Sequence, residues 1–127
     1  MNIQITLTVP EDVIDNLLVS AFEGGSNYWV TEARRGRKPT RKGAEWVSEW
    51  PIHGGSFIIV DGEDDGKEYE IGSKELKKGL EAMSEWKEGE GAHHFQHIVG
   101  GNDAGQIDAD TGDAFLQACC FGKLIYG

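Results

Sequence analysis

The residues with the most evident chemical potential are the three histidines of His93-His94-Phe95-Gln96-His97. His93 and His97 stand four apart, which on a helix sets two imidazoles on one face at zinc-chelating distance. A zincin-type hydrolase needs a glutamate directly after the first histidine as general base, and His94 stands there instead. Asp103, Asp108 or Asp110 would have to supply a third ligand, and none stands at a defining spacing. A calcium motif fails in the same way. Asp61, Glu63, Asp65 and Gly66 begin like an EF-hand loop, but the position that must supply a closing bidentate glutamate is Gly72. A solvated hairpin turn is the better reading. No metal and no cofactor are expected.

Asp103, Asp108, Asp110 and Asp113 crowd one short stretch. Paired carboxylates do acid–base work when one is held neutral, but helix capping and dipole complementation account for Asp110 and Asp113 more simply. No nucleophile elbow, dinucleotide fingerprint or P-loop occurs. No catalytic residue is assigned, and a non-enzymatic role is preferred. Cys119 and Cys120 are neighbours without a third cysteine, so they read as small buried hydrophobes in a reducing compartment.

Glu23-Gly-Gly-Ser-Asn27-Tyr28-Trp29 places hydrogen-bonding and aromatic groups just past a helix end, and a basic segment follows. Asn27, Tyr28 and Trp29 together with Arg34, Arg35, Arg37, Lys38, Arg41 and Lys42 form the candidate binding set. Guanidinium groups returning over the rings would stack on them or hold a ligand's acidic group. The competing reading puts Tyr28 and Trp29 at the start of a strand, filling the core. Glycine and proline punctuate the basic segment and its like charges repel, so Arg34 to Lys42 is expected to be a mobile loop.

That segment is an exception to the charge of the whole. The chain of 127 residues has a net charge of −10. Thr31 to Gly43 carries six cations against Glu32 alone, a net +5, which leaves −15 on the rest. An acidic body argues against general nucleic-acid binding. No apolar run is long enough to span a membrane, and no signal peptide opens the chain, so a cytoplasmic protein is expected.

The elements that must position these groups read as one α+β domain over residues 1–127. Ile3 to Val9 alternates apolar and polar residues as a half-buried strand does. Pro10, Glu11 and Asp12 open a helix whose apolar stripe runs from Val13 to Phe22, ending at Gly24-Gly25. Glu45 to Trp50 alternates again, with Trp46 and Trp50 on one apolar face. Ser56 to Val60 and Lys67 to Ile71 read as paired strands. Ser73 is placed to cap a second helix, a short helix fits Ala92 to Val99, and Asp110 is placed to cap a buried last helix stopped by Gly122. Leu124 to Tyr126 adds a terminal strand. The expected architecture is a small antiparallel or mixed sheet of four to five strands packed by three to four helices.

Ala21-Phe-Glu-Gly-Gly-Ser-Asn-Tyr-Trp29, the run Asp110-Thr-Gly-Asp-Ala-Phe-Leu-Gln-Ala-Cys-Cys-Phe-Gly122 and the ending Ile125-Tyr126-Gly127 resemble a group of small bacteriophage and prophage proteins. The resemblance implies a phage origin and a location in the host cytoplasm, but no chemistry. The preferred functional expectation is an accessory protein that binds and modulates a host protein, such as a defence or nucleic-acid-handling system. The alternative is a small-ligand or nucleotide-binding protein, whether binding module or enzyme, that uses the Asn27–Trp29 turn and the basic loop. A metal-dependent hydrolase built on His93 and His97 ranks third.

Overall fold

The computed structural model describes residues 1–100 and 107–127. Pro10 has the extended backbone of an N-cap (φ −62°, ψ 153°), and its carbonyl accepts from the N–H groups of Val13 and Ile14. Helix α1 (Glu11–Ser20) follows, with Glu11 and Asp12 at its positive end and Val13, Leu17 and Leu18 buried. It runs into a π turn, Ala21–Gly25, inside which Gly24 takes φ 156° and leaves the helical path.

Strands β1 (Val30–Arg35), β2 (Phe57–Asp61) and β3 (Lys67–Ile71) form one antiparallel sheet in the order β1-β2-β3. The register sets Ala33 opposite Ile59 and Ile59 opposite Tyr69. Cross-strand partners share a face, so Ala33, Ile59 and Tyr69 lie on one side of the sheet and Glu32, Val60 and Glu68 on the other. The first side meets the helices, as the edge-on contact of the Tyr69 and Phe121 rings shows.

Helices α2 (Ser73–Ser84), α3 (Ala92–Gly100) and α4 (Ala109–Phe121) complete the fold. Every residue of α4 from Thr111 to Cys119 is buried, and α1 and α2 both pack on it. Such crossings demand bare backbone. A Cβ on Gly112 would stand 2.6 Å from the Leu17 carbonyl oxygen, and one on Gly79 would stand 2.6 Å from Cys119 Sγ. Leu17, Leu18, Phe57, Ile59, Met83, Phe115 and Leu116 make the fully buried centre of the core.

The α+β class holds, with four α-helices among the described residues, but the described sheet has three strands rather than four or five. Residues 3–9 keep their alternation without a pairing partner; Ile3 is 77% exposed, Ile5 79% and Leu7 58%. Residues 45–50 are not a strand. The Glu49 carboxylate accepts from the Glu45 and Trp46 N–H groups and closes a 3-10 turn over Val47–Glu49, followed by another over Pro51–His53. Leu124 to Tyr126 is not a strand either, because the buried Gln117 amide binds its backbone in place of a ladder. The basic segment is not wholly a loop, since Arg34 and Arg35 belong to β1. Two caps are displaced. Asp108, not Asp110, caps α4 by accepting from Thr111 N–H, and Gly72, not Ser73, precedes α2 with its N–H bound by Glu75. The turn from Asp61 to Gly66 is the hairpin that was expected, with Asp65 and Gly66 at φ 51° and 74°. Asp103 lies outside the described residues.

Candidate functional site

The turn from Ser26 to Trp29 and helix α4 meet on one carboxylate. Asp113 Oδ1 accepts from Ser26 Oγ and Trp29 Nε1, both at 2.7 Å, and Oδ2 accepts from the Tyr28 hydroxyl at 2.6 Å and Gln117 Nε2 at 2.9 Å. Ser26, Trp29, Asp113 and Gln117 are all buried. Gln117, one turn after Asp113, binds the backbone of Ile125 and Tyr126, and the Tyr126 hydroxyl donates to Asp61 (2.8 Å). A buried charge is tolerated when its lone pairs are filled, and the four donors do that here. Burial and the adjoining Asp113 push the Tyr28 hydroxyl well above its ordinary range, while the bond to Asp61 pushes Tyr126 up to about 12. Asp113 has no vacant lone pair aimed at a reactant. It is a structural pin joining the α1–β1 turn to α4 and the C-terminal segment.

The candidate binding set is therefore dispersed. Trp29 is 1% exposed, and its indole lies against Phe121 and Tyr126, with ring centroids 5.3 and 5.5 Å away. Of the two readings of the aromatic turn, core filling applies to Trp29; Tyr28 keeps half its surface exposed and Asn27 is exposed. The basic side chains turn elsewhere. Arg34 pairs with Glu68 across the sheet and with Glu32 on its own strand, Arg35 lies over the Trp50 ring at 4.2 Å, and Arg41 donates to the Ile52 carbonyl. Arg37 and Lys38 donate backbone N–H groups to Glu70 and Ser56, and the Arg37 N–H holds the Glu70 carboxyl below its usual range. Lys42 is exposed.

The histidines gather at the start of α4. The rings of His93 and His97 lie 5.9 Å apart, and Nδ1 of His94 and of His97 both face Thr111 Oγ1, at 3.0 and 3.4 Å. Burial, then the neighbouring His93 charge, lowers the His94 pKa. Among the described residues no group of three or more histidine, cysteine, aspartate or glutamate side chains is arranged to hold a metal ion. Cys119 and Cys120 are free thiols whose ionisation burial pushes far upward, which removes them as nucleophiles.

A site that sequence reasoning missed lies along β1. A groove of about 660 Å³ runs between α1, β1 and the first 3-10 turn, within the range of roughly 300–1,000 Å³ usual for binding clefts. Val19, Phe22, Val30, Ala33 and Val47 give it an apolar lining. Four successive β1 residues, Val30 to Ala33, line the groove. Successive side chains point to opposite faces, so a groove that meets all of them follows the strand edge. In the described sheet β2 is the sole hydrogen-bonded neighbour of β1. Asp15, Glu23, Glu32 and Glu49 supply carboxylates, no lysine, arginine or histidine lines the groove, and Trp46 is 68% exposed beside them. Ser48 Oγ donates to Asp15 (2.6 Å), and no histidine is in the lining.

Asn27 is the one member of the candidate set that lines this groove. Two sequence signals point to it. Asp15 and Glu23 bracket Val19 and Phe22 along α1 and its extension, and Trp46 stands in a polar stretch with no apolar partner four residues before it. No protein-family model, curated protein or solved structure matches the chain.

Proposed function

We propose that the protein is a non-enzymatic binding protein, a phage accessory factor that modulates a host protein by holding an extended, cationic segment of it in the groove along β1. The observation that carries this reading is the lining itself: an unpaired strand edge, an apolar floor, four carboxylates and no cation. An edge strand recognises an extended peptide through main-chain hydrogen bonds, with alternate side chains entering the groove. Carboxylates around a low-dielectric floor favour lysine or arginine in those positions, and an exposed indole adds a cation–π face. The same carboxylates oppose a nucleotide phosphate, which disfavours the small-ligand alternative at this site. No helix among the described residues is long and apolar enough to cross a membrane.

The direct test is a titration with a peptide of alternating lysine and valine, followed by Trp46 emission with Trp46→Phe as the blank. Saturable quenching that weakens steeply with salt, and at least about tenfold in Glu23→Lys/Glu32→Lys, is expected. Equal binding by the charge-reversed variant contradicts the reading.

A further inference from the structure

The strand-like segment at the N-terminus has no partner, and the groove has an edge without a strand. Met1, Ile3, Ile5 and Leu7 are the most exposed group of apolar side chains in the protein, all on one face of a strict alternation. Contiguous apolar surface of this kind marks an interface. Matching it in character, the groove offers Val19, Phe22, Val30, Ala33 and Val47 beside the free edge of β1. The lengths match, since residues 3–9 supply seven positions for a strand of six. Charge does not oppose the fit. In a chain of net −10, residues 1–10 contain no charged side chain. They are thus an apolar stretch that an acid-lined groove does not repel.

Building on the groove reading above, we infer that the N-terminal strand of a second copy fills this groove, pairing with β1 so that two chains exchange strands. The exchange is between copies because of the hinge. Val9 is held extended by the proline after it, and Pro10 has its φ locked as it passes straight into α1. No glycine or asparagine stands between Leu7 and Glu11 to reverse the chain onto the side of α1 that carries Asp15, Val19 and Phe22. Residues 1–8 accordingly project from their own body with their side chains exposed, while Val9 anchors against the core. A short stiff hinge with a complementary site on every copy is the arrangement that favours swapping over self-closure. Ile3, Ile5 and Leu7 enter the groove and Gln4, Thr6 and Thr8 face water, completing a four-stranded sheet from two chains. A cationic partner segment must displace this strand.

Sedimentation of the full chain tests it. The wild type sediments as a dimer, and Ile3→Asp/Ile5→Asp/Leu7→Asp sediments as a monomer whose helical circular dichroism is unchanged, because those side chains are exposed and lie outside the core of their own subunit. Gln4→Lys/Thr6→Lys, on the outward face, remains a dimer. A labelled decapeptide of residues 1–10 binds the triple-aspartate monomer at least about tenfold more tightly than it binds the wild-type dimer. A monomeric wild type, a triple variant that stays dimeric, an outward-face variant that dissociates equally, or a decapeptide that fails to bind overturns the inference. If the decapeptide fails while the lysine–valine peptide still quenches Trp46 of the triple variant, the groove reading stands alone. If neither binds, both fall.

Discussion

Replacing Asp113 removes the acceptor on which four donors converge, and the cost can be worked from their surroundings. In Asp113→Ala, Ser26 Oγ and Trp29 Nε1 are left buried at about 1% exposure with no acceptor. Each such donor costs roughly 1–3 kcal/mol. Tyr28 is half exposed and its hydroxyl keeps the Gln117 amide as a neighbour, while Gln117 keeps the Tyr126 carbonyl at 3.1 Å, so these two add less. A loss of about 4 kcal/mol follows, a large part of the ~5–15 kcal/mol that holds a domain together. Asp113→Asn keeps one oxygen for Ser26 and Trp29, while its NH2 faces both a Tyr28 hydroxyl that can turn to accept and the Gln117 NH2, which cannot. It forfeits the charge assistance and the bond to Gln117, about 2–3 kcal/mol. Ser26→Ala removes one donor and leaves the carboxylate with three others, costing about 1 kcal/mol. Urea unfolding followed by circular dichroism, with m compared across the series, measures the ranking Ala, Asn, then Ser26→Ala. An alanine variant within about 1 kcal/mol of wild type would refute the assignment of Asp113 as the pin.

Two other expectations concern the fold. Phe115→Ala, at the fully buried centre of α4, should cost roughly 3–5 kcal/mol by opening a cavity, read from the same urea curves; a loss under about 1 kcal/mol would mean that the centre lies elsewhere. Stability should also fall in alkali. Tyr28 and Tyr126 have folded pKa values raised above the ordinary 10.0, so their neutral forms stabilise the fold below pH 10 and that contribution is lost as pH rises through the folded values, for Tyr126 about 12. Urea midpoints measured on either side of that window in Tyr126→Phe should show a shallower decline than in wild type, and an identical decline would contradict the role of its hydroxyl.

Where the sequence was readable, local chemistry and tertiary packing agreed. Pro10-Glu11-Asp12 ahead of an apolar stripe gives α1, and the turn from Asp61 to Gly66 joins two strands because its residues accept left-handed backbone. The alternation of residues 3–9 is equally regular, but a period of two specifies only that one face seeks cover, not which surface supplies it. Glu45 to Trp50 misleads because the Glu49 carboxylate satisfies backbone N–H groups that a ladder would need. The Asp113 pin left one trace, a polar pair at 113 and 117 on the inner face of a helix apolar nearly all round. Three of its four donors stand more than 80 residues away, beyond any local pattern. The groove was less legible still, since α1, β1 and a 3-10 turn meet there only after folding.

The binding role of the groove is tested most directly by amide chemical shifts of the full chain during titration with the lysine–valine peptide. Progressive shifts at Val30–Ala33, the Trp46 indole and the neighbouring α1 residues Asp15 and Val19 are expected, joined by residues 3–9 as the exchanged strand is displaced, with the Arg37–Lys42 segment unmoved. Shifts absent from β1, or centred on the basic segment or the histidines of α3, would contradict it.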